Sequence, residues 1–260
     1  MTTDTAAPAR PKLGFGFWSF IVFMLALTAL WIVLGVWQID RLAWKEGLIA
    51  QVTARFTQPA TPLPPAAQWP SLVLDDWDFR PVSITGHYLT GKTVPVFVGL
   101  TDAKGQYDGP GYWIMAPFAP DSGGTVWIDL GFVPQDKLPT YGGDKSVPPG
   151  PQTITGVATI SEDPGAFTPA PDTANHIEWV RSPARLSAMA GLTDPPLNLV
   201  IDMPAGAPGA LPQGGETTID FPNNHLGYAY TWFGFALITP GLLAAWVWRQ
   251  VRPKVPNTQV

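Results

Sequence analysis

The 260-residue chain contains no cysteine. Disulfides, thiolate metal sites, cysteine nucleophiles and a CxxCH haem attachment are therefore excluded. Charge is scarce as well: Asp, Glu, Lys and Arg make up 13% of the residues, where about a quarter is usual for a soluble domain. Two windows lack charge altogether, one between Lys12 and Asp40 and the other between Asp220 and Arg249. No HExxH or GxSxG pattern is present, and there are only three histidines, which leaves the common hydrolase signatures without support. A basic footprint is also missing. Asp40 to Asp220 carries ten Lys and Arg against nineteen Asp and Glu, a balance that argues against nucleic acid as a partner.

The uncharged windows are long enough to matter. Crossing about 30 Å of hydrocarbon takes roughly 20 apolar residues at 1.5 Å each. Phe17–Val36 and Tyr228–Trp248 both meet this, and each has aromatic residues at both ends, including Trp18 and Trp37 on the first and Tyr228, Tyr230, Trp232, Trp246 and Trp248 on the second. Such residues anchor spans at the headgroup level. The first apolar run is longer than a typical signal-peptide core and lacks a small-x-small cleavage site, so it reads as a retained anchor. Pro240 removes one backbone hydrogen bond from the second span and is expected to kink it. Both tails are basic: Arg10 and Lys12 precede the first span, and Arg249, Arg252 and Lys254 follow the second. The positive-inside rule then puts both ends in the cytoplasm and the middle outside. The expected division is a cytoplasmic tail (1–16), a first transmembrane helix (17–37), a helical extension (38–56), a periplasmic domain (57–225), a second transmembrane helix (226–248) and a cytoplasmic tail (249–260).

After the first span, Leu42, Ile49, Val52 and Phe56 repeat at helical spacing. Gln58–Pro70 is proline-rich and reads as extended. Six short segments then have strand character: Pro81–Tyr88, Val94–Val98, Tyr112–Phe118, Val126–Phe132, Thr153–Ile160 and Leu197–Asp202. Turn signals separate them, as in a β-sandwich or small barrel. Ser182, Pro183 and Gly191 frame one short helix. Gly206–Gly215 reads as a flexible loop. The expected fold is thus a membrane protein in which two transmembrane α-helices flank a mainly β periplasmic domain with one or two short helices.

Among residues that could carry chemistry, Asp75, Asp76 and Asp78 read as a solvated turn, His87 as an exposed strand residue, and His176 as part of a turn leading into a strand. His225 differs because it stands at the outer mouth of the second span. On a helix His225, Tyr228, Ala229, Trp232 and Ala236 share one side. Two of these are aromatic and two are small enough to leave room for a flat group. Gly35 removes bulk near the outer end of the first span. A neutral imidazole is a common axial ligand of haem iron. The alternative is that His225 caps the loop while Tyr228 anchors at the headgroups.

Six blocks of residues, in order, are similar to one family. They are Leu34-Gly35-Val36-Trp37-Gln38-Ile39-Asp40-Arg41 with Trp44-Lys45; Phe79-Arg80-Pro81-Val82 with Gly86; Gly111-Tyr112 with Pro117-Phe118; Gly131-Phe132-Val133-Pro134; Asn175-His176 with Trp179; and Asn224-His225-Leu226 with Tyr228, Thr231, Trp232 and Gly234. The chain resembles the Surfeit locus protein one family of cytochrome c oxidase assembly factors from about Leu34 to Phe235. One departure is Asp129-Leu130, where the family tends to a polar or basic pair.

The resemblance implies two membrane helices around a domain outside the bacterial cytoplasm. It further implies a non-enzymatic role in maturing the haem-containing subunit of a haem-copper terminal oxidase by holding or handing over haem a, and the family's proposed haem-ligand histidine falls on His225. On this reading His225 is the axial ligand, Tyr228, Trp232 and Trp37 pack the ring, Gly35 leaves space for it, and Arg41 meets a propionate. The implied partners are the oxidase catalytic subunit, other assembly factors with haem a synthase a candidate among them, and membrane lipid. The rival expectation is a haem-free scaffold that braces the nascent oxidase subunit during haem insertion.

Overall fold

The computed structural model describes residues 13–217 and 223–252. Arg10, Lys12, Lys254 and Asp220, which carry part of the charge reading, lie outside the described residues. In chain order the elements are α1 (Phe15–Phe56), β1 (Thr61–Pro62), β2 (Arg80–Tyr88), β3 (Val94–Leu100), β4 (Gly109–Pro120), β5 (Val126–Pro134), α2 (Leu138–Tyr141), β6 (Pro151–Ile160), α3 (Pro183–Ala190), β7 (Leu199–Asp202) and α4 (His225–Val251). They fall into two compact units, one holding α1 through Ala50 together with α4, the other running from Gln51 through the strands.

In the first unit, α1 and α4 are both long and apolar enough to cross a membrane. With 42 residues, α1 is roughly 63 Å long at 1.5 Å per residue. No break separates segment 17–37 from segment 38–56. The helices run antiparallel along an aromatic seam: Phe17 and Phe20 meet Trp246, and further on Trp31 stacks on Trp232. On α1, Trp31, Gly35 and Gln38 follow one another at i, i+4 and i+7, the spacing that keeps residues on one helix face. α4 continues through Pro240, and beside it the Thr239 hydroxyl donates to the Phe235 carbonyl at 2.7 Å.

The second unit is a small barrel rather than a two-sheet sandwich. Its strands pair in the order β1-β2-β6-β7-β5-β4-β3, and a further pairing of β2 with β4 closes five of them into a ring. Strand β2 serves two neighbours. Arg80–His87 lies antiparallel to β6, and Gly86–Tyr88 lies antiparallel to Phe118–Pro120 of β4. The switch needs a glycine, because a Cβ on Gly86 would lie 2.1 Å from the Ala119 carbonyl oxygen. Inside the ring, Val82, Ile84, Ile114, Phe118, Ile128, Leu199 and Ile201 form a dry core. A second apolar cluster (Val94, Val96, Met115, Trp127, Leu186, Ala190 and Val200) lies under α3.

Strand β5 is buried at all nine positions, which explains its run of large apolar residues without polar alternation. Helix α3 starts and stops where its sequence signals stand: Ser182 occupies the N-cap, Pro183 the first turn, and Gly191 a left-handed C-cap at φ 64°. The cap at Ser182 is a backbone one, its carbonyl accepting from Leu186 N at 2.9 Å. The open side of β3 is covered by a short segment in which Glu178 exchanges backbone bonds with Pro95 and Phe97 at 3.0 and 2.8 Å.

Two local expectations are corrected. The proline-rich Gln58–Pro70 is not extended throughout, because Ala66–Ser71 forms a 3₁₀ turn that includes Pro70. The turn is held by Trp69 Nε1 donating to the Pro64 carbonyl at 2.9 Å, a partner that the composition alone does not announce. Nor does the glycine-rich Gly206–Gly215 hang free. Its Gln213 is buried, accepts from the Tyr107 backbone N–H at 2.8 Å and donates to the Tyr107 carbonyl at 2.8 Å. Glu216 extends this clamp by accepting from the backbone N–H groups of Lys104 and Gly105, each at 2.8 Å.

Candidate functional site

His225 is the first residue of α4, and Asn224 occupies the cap position without a side-chain bond. The imidazole is held from the other helix: Nδ1 lies 2.7 Å from Oε1 of Gln38. Gln38 is 7% exposed, so its carboxamide has little access to water and is satisfied by this bond. The sequence reading missed Gln38. The signal was there, since Gln38 falls within the uncharged window and stands one i+7 step from Trp31.

The remaining candidates divide. Gly35 is buried, but the space it leaves is taken, because a Cβ there would come within 2.7 Å of the Phe233 ring. The glycine thus lets α1 and α4 pack closely and opens no slot at its own level. Trp232 lies flat on Trp31, at 5.2 Å between ring centroids and 13° between planes. It is a seam residue with one face covered. Trp37 and Tyr228 are 54% and 56% exposed, so their rings are available. Arg41 follows Trp37 by one helical turn, and its guanidinium sits 3.9 Å over the Trp44 ring. Among the described residues no ring contact joins Trp37 to Tyr228. The structure thus ties His225 to Gln38, spends Gly35 and Trp232 on helix packing, and leaves Trp37, Tyr228 and Arg41 exposed.

Of the other histidines and acids, His176 and Asp78 have structural employment. His176, in the left-handed region at φ 57°, places Nε2 3.2 Å from the Thr93 carbonyl. His87 is an exposed residue of β2. Asp78 accepts from the Ile160 backbone N–H at 3.0 Å, and burial raises its pKa above the ordinary carboxylate value. Among the described residues no cluster of His, Asp and Glu is arranged to hold a metal ion.

A buried ionic cluster in the barrel also escaped the sequence reading. Asp129 of β5 and Asp202 of β7 are partners in register. One nitrogen of Arg181 bridges them, 3.1 Å from each carboxylate. The Gly131 backbone N–H donates to Asp129 and the Thr217 hydroxyl to Asp202, both at 2.9 Å, and the Thr159 hydroxyl adds a longer bond to Asp202 at 3.4 Å. Burial is the largest influence on both carboxyls and raises both pKa values, Asp129 to about 7. Burial alone would lower Arg181, but the carboxylates of Asp202, Asp129 and Glu162 outweigh it and raise its pKa. A second buried pair is Glu178, fully enclosed, which accepts from Arg185 Nε at 2.8 Å. The Arg181 cluster explains why Asp129 and Asp202 can stand inside strands that are otherwise apolar.

Comparison with known proteins places the chain among relatives. The model of the SURF1 family matches residues 25–237. Surfeit locus protein 1 of Mus musculus is 29% identical over 249 residues, covering 92% of this chain and 78% of that protein. Surfeit locus protein 1 of Gallus gallus is 31% identical over 248 residues, covering 90% and 75%. Cytochrome oxidase assembly protein SHY1 of Saccharomyces cerevisiae is 32% identical over 131 residues, covering 50% of this chain and 32% of that protein. The family match takes in the whole barrel, the Trp31–Gln38 face and His225, and on that ground the chain belongs to the SURF1 family.

Proposed function

We propose that this chain is an assembly factor for a haem-copper terminal oxidase (cytochrome c oxidase) and that His225 ligates haem a on its way to the oxidase catalytic subunit. Membership of the SURF1 family supports the assembly role, as does the relative in yeast whose name is that of a cytochrome oxidase assembly protein. In this reading α1 and α4 cross a bacterial inner membrane, both chain ends are cytoplasmic and the barrel stands in the periplasm. Arg249 and Arg252 at the far end of α4 favour that orientation, while Asn223–Gly227 at its near end has no Lys or Arg. Other assembly factors, haem a synthase among them, and membrane lipid complete the surroundings. The chain acts as a carrier, not an enzyme.

One observation carries the haem assignment. His225 has one ring nitrogen held by Gln38, while Nε2 has no hydrogen-bond partner among the described residues. His225 would hold the group through this neutral nitrogen, and the group, when bound, would supply the iron it ligates. The residues fit an open docking face better than a slot. Phe233 closes the space at Gly35, and Trp232 is engaged by Trp31. Trp37 and Tyr228 remain to pack against the porphyrin, and Arg41 to meet a propionate. An open face suits cargo that must be released.

The test is the absorption spectrum of detergent-purified protein from cells that make haem a. Wild type should show a Soret band that shifts on reduction. A His225→Ala variant should lose it while remaining folded and membrane-bound; haem undiminished in that variant removes the axial role. The closed seam favours a second reading, a haem-free scaffold that braces the oxidase subunit. A wild-type spectrum that stays blank under these conditions selects the scaffold.

A further inference from the structure

Three features stand out beyond the proposed ligand: an apolar pocket of about 540 Å³ beside Asp202, the shared guanidinium of the barrel, and the Gln38–His225 bond. The pocket has nothing on its walls that selects an occupant, and the guanidinium has the structural role already described. The bond carries an inference about how the histidine is prepared.

An imidazole has two nitrogens, and in the neutral ring one donates while the other offers a lone pair. Gln38 presents its carboxamide oxygen, Oε1, to Nδ1 at 2.7 Å. A carbonyl oxygen only accepts, so Nδ1 carries the proton and the lone pair is left on Nε2. The bond also fixes the ring's rotation, because Gln38 is buried and sits on a different helix. In metal sites an outer partner of this kind sets the tautomer and orientation of a ligating histidine, and its loss costs about 10–100-fold in affinity. The chemical identity of the partner matters too. A carboxylate at this point would place a negative charge on the N–H and make Nε2 a stronger donor. A neutral amide holds the same tautomer without that added donor strength.

Resting on the carrier reading above, we infer that Gln38 is the positioning residue of the site: it locks His225 as the Nδ1–H tautomer, aims Nε2 at the iron, and, being uncharged, keeps the bond weak enough for release. The bland alternative is that the bond only ties two helices together. The two differ in what they say about position 38. A tie needs any hydrogen-bonding group, whereas a tuned ligand responds to the charge of that group.

The experiment uses full-length protein in detergent. Labelling histidine with ¹⁵N gives three imidazoles, and His225 is assigned by its loss in His225→Ala. In buffer alkaline enough to keep imidazole neutral, long-range ¹H–¹⁵N correlations read the tautomer without haem. Wild type should be Nδ1–H, and Gln38→Leu should shift towards Nε2–H. A wild-type signal dominated by Nε2–H overturns the inference even if haem binds. Titration with haem a should then show affinity about 10–100-fold lower for Gln38→Leu. Gln38→Glu should retain binding and lower the midpoint potential of the bound iron. Unchanged affinity in the first variant together with an unchanged potential in the second overturns it as well, leaving a helix tie. If the tautomer is as expected but wild type binds no haem a, the carrier reading itself fails and the ligand role falls with it.

Discussion

The indoles of Trp31 and Trp232 lie face to face, 5.2 Å apart and within 13° of parallel, although 201 positions separate them in the chain. The stack sits midway along the seam, between the Phe17 and Phe20 contacts with Trp246 at one end and the Gln38–His225 bond at the other. Because the chain has no cysteine, helix pairing can be read cleanly from a disulfide between Phe20→Cys and Trp246→Cys. Trp31→Ala and Trp232→Ala should each reduce its yield. The double variant should be little worse than either, a coupling of about 0.5–1.5 kcal/mol. Fully additive losses would mean that the rings act separately.

Gly35 makes a different prediction. Gly35→Ala places a methyl group against the Phe233 ring, an overpacking that costs about 1–3 kcal/mol where the ring cannot turn aside. The same disulfide yield should fall. Adding Phe233→Leu should restore much of it, since the obstacle is the ring.

Arg181 should be the most sensitive charged position in the barrel. Arg181→Met leaves Asp129 and Asp202 buried side by side without their shared cation, and removing one partner of such a group costs about 3–5 kcal/mol. Thermal unfolding of the variant should show a large drop, and converting both acids to asparagine in the same background should recover part of it. A drop no larger than that of an exposed pair would place the cluster in contact with water.

The same cluster sets a pH dependence. Burial lifts Asp129 from 3.8 to about 7, so the folded state holds this proton more tightly than the unfolded chain. The stabilisation from that proton is complete below the unfolded value and is lost as pH rises through the folded one. Between about pH 4 and pH 7, wild type should therefore lose stability relative to Asp129→Asn, which has no proton to release. Unfolding midpoints of the two proteins across that window provide the measurement, and a constant gap would refute the shift.

Gln213 offers a local test. Gln213→Leu removes three hydrogen bonds and leaves the Tyr107 backbone groups and one Glu216 oxygen with lost partners, at about 1–3 kcal/mol. Limited proteolysis should detect cleavage between Met203 and Glu216 that wild type resists. Equal resistance would mean that other contacts hold the segment.

Much of the architecture was legible in residue order. The uncharged windows located both long helices, because lipid-compatible runs tolerate no charge. All six expected strands exist, and the Pro183 to Gly191 frame delimits α3 to the residue. What stayed hidden depends on pairing across the chain. Ring closure through Gly86 rests on a meeting of β2 with β4 that no local pattern encodes. Asp129 and Asp202 stand in two of the expected strands, but only register sets them side by side. His225 was visible as a candidate ligand, but its partner lies 187 positions away. Gly35 and Trp232 were on the expected face, and the same placement that suggested room for a ring lets Phe233 and Trp31 occupy it.

The Gly86 switch reaches beyond geometry. By letting one strand turn from β6 to β4, it leaves the ring without a bare rim, and the Glu178 segment shields the outlying β3. Exposed strand rims are where identical chains template one another into aggregates. An acidic, cysteine-free barrel sealed in this way can be crowded against its copies with little risk of polymerising.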